Sequence, residues 1–151
     1  MSTNIKIRDV AHEDWDVWQQ LWTAYFDFYK MSRSSEVYQT TFERLLGHEA
    51  RDFNGLLAEV NGRPVGLTHY AFYRHAHYIE EVCYLQDLYI DPKVRGLGVG
   101  RALIEAVSQR AKAHKCAYVY WLTHEGNHQA RRLYDSLAKV EDFVRYVHPL
   151  G

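Results

Sequence analysis

The stretch of residues 84–112 constrains the fold of this chain most, because it reads as a strand, a glycine-rich loop and a helix in direct succession. Residues 82–90 are largely apolar on both alternating faces, which is typical of a buried central strand. Asp91 and Pro92 end that strand, since proline has no N–H to give to a ladder. The helix that follows carries one apolar stripe, made of Leu103, Ile104, Val107 and Ala111.

The loop between strand and helix has the composition of an anion site. Gly96, Gly98 and Gly100 alternate with other residues between Arg95 and Arg101. Glycines let backbone amides approach a ligand closely, and the free N–H groups at a helix start attract negative charge. The loop therefore predicts a site for a diphosphate.

Two common phosphate-binding motifs are excluded. A P-loop requires a lysine followed by serine or threonine after its glycines, and neither pair occurs here. The dinucleotide fingerprint fails because Arg101 stands where its third glycine should be, and no acidic residue ends a following strand at the required distance. The pattern that remains is R-x-x-G-x-G directly after the strand.

A second motif lies further along the chain, where Asn127 precedes Ala130, Leu133 and Tyr134 in a predicted helix. Together with the R-x-x-G-x-G loop, this N-x-x-A-x-x-L-Y spacing resembles the GNAT superfamily of acyl-CoA-dependent N-acetyltransferases. The chain departs from the family where a glycine often follows the tyrosine, since Ala138 and Lys139 stand in that region.

The resemblance implies an α/β (α+β) fold with a mixed, mostly antiparallel sheet of about six to seven strands, about four helices and a splayed parallel strand pair that binds the cofactor. The chain itself supports a meander, because Asn61-Gly62 joins two apolar runs and is a strong hairpin signal. A last strand is expected over residues 140–147, either completing the sheet or exchanging with a second subunit. The 151 residues, 47% of them hydrophobic, fit a single acetyltransferase domain over 1–151.

By the same resemblance, the cofactor is acetyl-CoA, bound by the end of the central strand, the glycine loop and the second motif. Asn127 would contact the pantetheine or phosphate arm, and Tyr134 would point at the thioester sulphur. The implied cofactor-binding residues are Leu88, Tyr89, Ile90, Arg95, Gly96, Leu97, Gly98, Val99, Gly100, Arg101, Asn127, Arg131 and Tyr134.

Acyl transfer to an amine requires two proton movements. An alkyl ammonium with a pKa of about 10.4 must lose a proton, and the leaving thiolate must gain one. Tyr134 is assigned as the acid, and a backbone N–H near Leu88 or Tyr89 as the oxyanion donor. Relatives that acetylate polyamines often carry glutamate where this chain has Gln86, so the candidate bases are Asp87, Glu81 and Glu80, directly or through water.

The first helix carries an aromatic stripe, since residues three and four positions apart share one face: Trp15, Trp18, Trp22, Tyr25 and Tyr29. Most of this stripe is expected to lie in the core, and its end is expected to contact the acceptor amine. The candidate substrate-binding residues are Trp22, Tyr25, Asp27, Gln86 and Asp87.

These residues predict a cytoplasmic enzyme that acetylates a primary amine of a small molecule such as a polyamine or amino acid. The alternatives are a protein or histone-tail lysine acetyltransferase and a catalytically weak acyl-CoA sensor. A net charge of −1 favours neither nucleic acid nor membrane. No metal is expected, since His75-x-His77 lacks a third ligand, and family resemblance implies a homodimer.

Overall fold

A single five-stranded sheet organises the computed structural model, which describes residues 4–151. The strands are β1 (Ile5–Asp9), β2 (Asn54–Val60), β3 (Arg63–Arg74), β4 (Glu81–Ile90) and β5 (Val119–Tyr120). They lie in the order β1-β2-β3-β4-β5, antiparallel except for the parallel pair of β4 and β5. The predicted class of fold is confirmed.

Four α-helices flank this sheet: α1 (Trp15–Phe28), α2 (Ser35–Gly47), α3 (Val99–Ala113) and α4 (His128–Leu137), with 3-10 turns at His12–Asp14 and Pro92–Val94. The Ser34 side chain accepts a hydrogen bond from the Val37 N–H at 3.3 Å and so caps α2. None of the helices within residues 4–151 combines the length and the hydropathy that a membrane crossing needs.

The strand count is lower than predicted, with five strands instead of six to seven. The expected last strand over residues 140–147 is not formed, because residues 138–151 contain neither helix nor strand. The strand after α3 is short, since only Val119 and Tyr120 pair with β4.

The hairpin between β2 and β3 follows the prediction. Asn61 and Gly62 both adopt positive φ, 51° and 83°, as the tight turn requires. Pro64 then pairs with Glu59 beside a register shift, where a missing N–H is tolerated.

Two apolar layers cover the two faces of the sheet. Leu103, Ile104 and Val107 of α3 pack on one face, against a cluster that includes Leu56 and Val65. The aromatic stripe of α1 and the apolar side of α2 cover the other face, where the buried residues are Trp18, Trp22, Phe42, Leu45, Leu57 and Leu67. Burying each large side chain contributes about 1.5–3 kcal/mol before entropy is counted, so these layers hold β3 and β4 at the centre.

A bulge interrupts the pairing of β3 with β4 near the middle of the sheet. His69 pairs with Asp87 and the next residue, Tyr70, pairs with Leu85, so Gln86 is the extra residue. Bulges bend a strand and redirect its side chains. Gln86 is exposed, whereas Asp87 is turned toward α1 and contacts Trp22.

Candidate active site

The glycine loop lies between the Pro92–Val94 turn and the start of α3. The Asp91 carboxylate accepts a hydrogen bond from the Lys93 N–H at 2.9 Å, which closes this turn directly after β4. Gly96 and Gly98 have φ of 85° and 87°, a backbone conformation that side chains with a Cβ rarely adopt. The first N–H groups of α3 have no partner within the helix, so they are free to bind an anion.

Two arginines of this loop region bond to α4, and a third arginine lies on α4 itself. Arg95 donates to Gln129 Oε1 at 3.3 Å, and Arg101 donates to Ser136 Oγ at 2.9 Å. Arg131 donates to the main-chain oxygen of Glu125 at 2.8 Å. None of these side chains is paired with a carboxylate within residues 4–151, so their positive charge remains available to phosphate groups.

The parallel strands β4 and β5 separate shortly after they meet. Pairing joins Cys83 to Val119 and Tyr84 to Tyr120, and β4 then continues to Ile90 paired only with β3. Open α/β sheets bind ligands where neighbouring strands part. The expected splay is therefore present, and it leaves the backbone of Leu88 and Tyr89 unpaired on the β5 side.

Tyr134 lies on α4, half-buried, with its ring edge-on to Trp121 at a centroid distance of 5.4 Å. Burial, together with the nearby Tyr29, raises the pKa of Tyr134 to about 12. The phenol is consequently protonated at neutral pH and can donate a proton.

Asp87 accepts two hydrogen bonds on the same oxygen. His69 Nδ1 lies 2.7 Å from Asp87 Oδ2, and Trp22 Nε1 donates to that oxygen at 3.3 Å. Burial acts to raise the pKa of Asp87, but the bond from His69 and the nearby Tyr25 and Trp22 hold that pKa below its ordinary value. A carboxylate that keeps its charge therefore stands at the centre of the sheet, with 19% of its side chain exposed.

Aromatic side chains of α1 extend from this carboxylate toward α4. The rings of Tyr25 and Tyr29 lie 5.1 Å apart, and Tyr29 lies 5.6 Å from the ring of His124. Burial and the Asp87 charge raise the pKa values of both tyrosines. A groove of about 370 Å³ begins at this point, lined by Phe28, Tyr29, Lys30, His124, Gly126 and Asn127. We call this surface the acceptor groove.

A family model for the acetyltransferase (GNAT) family matches residues 15–138 of the chain. The chain belongs to the GNAT acetyltransferase family. It is 34% identical over 147 residues to the D-amino-acid N-acetyltransferase HPA3 of Saccharomyces cerevisiae, covering 97% of this chain and 91% of that protein. It is also 25% identical to the thialysine N-epsilon-acetyltransferase of Caenorhabditis elegans, covering 76% and 69%.

Solved structures share this fold. The aminoglycoside N-acetyltransferase AAC(6')-Iy, in complex with the bisubstrate analogue CoA-S-monomethyl-acetylneamine, superposes with a TM-score of 0.84 at 16% identity, covering 98% of this chain and 99% of that one. The protein is thus a GNAT enzyme, an acetyl-CoA-dependent N-acetyltransferase.

Not every predicted site residue of this acetyltransferase lies beside Asp87 and Tyr134. Glu81 is at the opposite end of β4, where its carboxylate bonds to His114 Nε2 at 2.7 Å. Asp27 is exposed on α1, in a shallow surface depression that includes Gln20 and Thr23. The structure therefore brings Asp87 together with Tyr25 and Tyr29, places Tyr134 near Tyr29, and leaves Glu81 at the far end of β4.

Asn127 precedes α4 as predicted, but its side chain does not cap the helix. Its amide donates to Thr123 Oγ1 at 3.3 Å and lies at the edge of the acceptor groove. The side chain therefore lies between the end of β5 and α4, and it makes no capping hydrogen bond to the helix.

Two residues of this region were not found from the sequence. His69 and Trp18 form a buried hydrogen bond behind Asp87, with Trp18 Nε1 3.0 Å from His69 Nε2. The available signal was a histidine in the otherwise apolar segment of residues 65–73. Its partner is 51 residues away in sequence, so spacing alone does not connect the two.

Proposed function

We propose that this GNAT enzyme transfers the acetyl group to a primary amine of a small molecule, such as an amino acid or polyamine. The observation that carries this proposal is the ionised Asp87 carboxylate beside the aromatic side chains of Trp22, Tyr25 and Tyr29. Carboxylates attract ammonium groups, and aromatic faces add cation–π attraction. The names of the relatives support this class of acceptor, since they refer to D-amino acids, thialysine and an aminoglycoside.

The cofactor would lie across the splay of β4 and β5. In this proposal the N–H groups and arginines of residues 95–101 bind the diphosphate. The ends of β4 at Leu88, Tyr89 and Ile90 meet the acyl end, while Asn127 and Arg131 flank the pantetheine arm. The whole chain acts as one acetyltransferase domain.

The reaction proceeds by direct attack of the neutral amine on the thioester carbonyl. Asp87 receives the incoming ammonium and accepts its proton through a water molecule, which leaves the amine neutral. The amine nitrogen forms a bond to the carbonyl carbon, the carbon–sulphur bond breaks, and Tyr134 gives its proton to the leaving thiolate. The amide nitrogen then loses its second proton to solvent, and Tyr134 takes a proton back from solvent. A backbone N–H of Leu88 or Tyr89 stabilises the oxyanion.

The test measures acetyl-CoA-dependent thiol release with polyamines, L- and D-amino acids, aminoglycosides and histone-tail peptides, using wild type and Tyr134→Phe in parallel. Turnover of one class of small amine, lost by roughly tenfold or more in the variant, supports the proposal. Turnover of peptides alone would replace it with a protein acetyltransferase. Binding of acetyl-CoA without turnover of any amine would favour an acyl-CoA sensor.

The C-terminal segment supports a homodimer. Residues 140–150 carry apolar side chains that are almost fully exposed, with Phe143 at 84% and Tyr146 at 91%. Their sequence favours a strand, and β5 has an edge without a partner. We propose that this segment pairs with a second copy of the chain. Light scattering should give the mass of a dimer for wild type and of a monomer for Phe143→Ser with Tyr146→Ser; a monomeric wild type would contradict the proposal.

A further inference from the structure

His69 is a polar residue in the hydrophobic interior, with 1% of its surface exposed. It lies on β3 between two partners: Trp18 Nε1 is 3.0 Å from its Nε2, and Asp87 Oδ2 is 2.7 Å from its Nδ1. Burying an imidazole is costly unless both nitrogens are hydrogen-bonded. The two contacts satisfy that condition.

These contacts determine which nitrogen of His69 carries the proton. An indole N–H can only donate, so His69 Nε2 must accept from Trp18. The proton of the neutral ring is therefore on Nδ1, which donates it to Asp87 Oδ2. A second proton on Nε2 would face the Trp18 N–H directly, so this hydrogen bond is compatible only with the ring that carries its proton on Nδ1.

The other groups around Asp87 do not neutralise it. The titratable side chains that face the carboxylate are His69 on β3 and Tyr25 and Tyr29 on α1. Within residues 4–151 no lysine or arginine forms an ion pair with it. Thr68 Oγ1 donates to the main-chain oxygen of Asp87 at 2.7 Å, which fixes the backbone at the bulge.

The hydrogen bonds also distinguish the two carboxylate oxygens. His69 and Trp22 both donate to Oδ2. A carboxylate oxygen has about two lone-pair sites, so Oδ1 retains capacity for a ligand. Oδ2 is thus held by His69 and Trp22, and the capacity that remains on the carboxylate is shared by the Tyr25 hydroxyl and an incoming donor.

We propose that His69 is a positioning residue, fixed as its Nδ1–H tautomer by Trp18, which orients Asp87 and keeps it charged so that Oδ1 binds the ammonium of the acceptor. This inference rests on the proposed function for its ligand. Exposure increases along these three residues, from the fully buried indole of Trp18 through the buried imidazole of His69 to the partly exposed carboxylate of Asp87.

Three variants separate this role from simple packing. His69→Leu removes the donor to Asp87, leaving a carboxylate that burial alone would protonate more readily. His69→Asn is the matched control, because its side-chain amide can place an N–H near the position of Nδ1. Trp18→Phe removes the indole N–H while leaving the bond between His69 and Asp87 in place.

The tautomer is read directly by ¹⁵N NMR of histidine-labelled protein, with the His69 signals identified by their loss in His69→Asn. Wild type should show the Nδ1–H tautomer at neutral pH, whereas Trp18→Phe, which lacks the N–H that Nε2 accepts, should show a weaker preference for that tautomer. A wild-type His69 found as the Nε2–H tautomer or as imidazolium at neutral pH would overturn the proposal. This readout requires no turnover, so it is independent of the proposed activity.

Charge at Asp87 is read by binding of n-propylamine to the complex of the enzyme with CoA, since this amine stays cationic well above neutral pH. Wild type and His69→Asn should keep their affinity at about pH 5, while His69→Leu should lose about tenfold there, as its Asp87 pKa rises. CoA affinity should be equal in all three proteins. Equal affinity of wild type and His69→Leu for the amine at neutral pH and at about pH 5 would overturn the proposal. If His69→Leu does not fold, the NMR spectra of Trp18→Phe decide the proposal.

Discussion

Trp121 packs edge-on against Tyr134, with ring centroids 5.4 Å apart and planes inclined at 66°. Edge-to-face pairs of this kind contribute about 0.5–1.5 kcal/mol beyond their buried area. The contact fixes the direction of the Tyr134 ring, and burial together with the nearby Tyr29 raises the pKa of its hydroxyl.

Tyr134→Phe should lower kcat by roughly 10²-fold, because it removes the general acid and leaves the ring in place. Since the pKa of Tyr134 is raised to about 12, wild-type activity should not decline on the alkaline side until the pH approaches that value. Steady-state kinetics against pH, with acetyl-CoA affinity measured separately, check both statements. Tyr78→Phe, at an exposed tyrosine remote from α4, is the matched control and should be neutral; an equal loss there would contradict the assignment.

Asp87→Asn should raise the KM of the acceptor by roughly tenfold or more while leaving acetyl-CoA affinity unchanged, since it removes the charge and keeps the shape.

The folded-state pKa of Asp87 is lowered, so its charge stabilises the fold above the ordinary carboxyl pKa of about 3.9. That contribution is lost as the pH falls through the lowered folded-state value. Urea unfolding at several pH values should therefore show the two proteins converging in acid; Asp135→Asn, an exposed change of the same charge, should show no such trend.

Glu81→Gln should leave kcat and the acceptor KM within about twofold of wild type. Six residues of extended strand, at about 3.3 Å each, separate Glu81 from Asp87, which places its carboxylate about 20 Å away. Steady-state kinetics with the acceptor identified in the substrate panel test this. A loss comparable to that of Asp87→Asn would restore Glu81 as a candidate base.

Gly98→Ala should reduce stability by about 1–2 kcal/mol and weaken binding of CoA, because the residue before α3 has a φ of 87°. A Cβ at Gly98 would meet no atom, so the cost is backbone strain and not a clash. Gly47→Ala is the matched control, since it also has open space but no positive φ. Thermal unfolding and CoA calorimetry measure both effects; equal behaviour of the two variants would contradict this account of the loop.

Features determined by neighbouring residues were predictable from the sequence. The turn at Asn61 and Gly62 and the glycine loop before α3 each depend on a few adjacent positions. The buried character of β4 followed from its two apolar faces, and the parallel pairing of β4 with β5 was implied by the family resemblance.

Features that depend on distant partners were not predictable. The alternation in residues 140–147 favours a strand, yet this segment does not pair with the edge of β5 within residues 4–151, because strand formation depends on tertiary pairing that alternation does not specify. The bond between Trp18 and His69 depends on how α1 lies across β3, which the aromatic stripe of α1 indicates only as a buried face.

The brief meeting of β4 with β5 leaves a seam through the sheet. Two paired positions, with packing such as the contact between Gly100 and Leu133, join the C-terminal part of the chain to the rest. A CoA molecule bound between these strands would stabilise the folded protein, because a ligand that binds only the folded form raises the free energy of unfolding in proportion to the logarithm of its concentration. The resistance of this enzyme to unfolding and proteolysis would then rise and fall with the supply of its own acetyl donor.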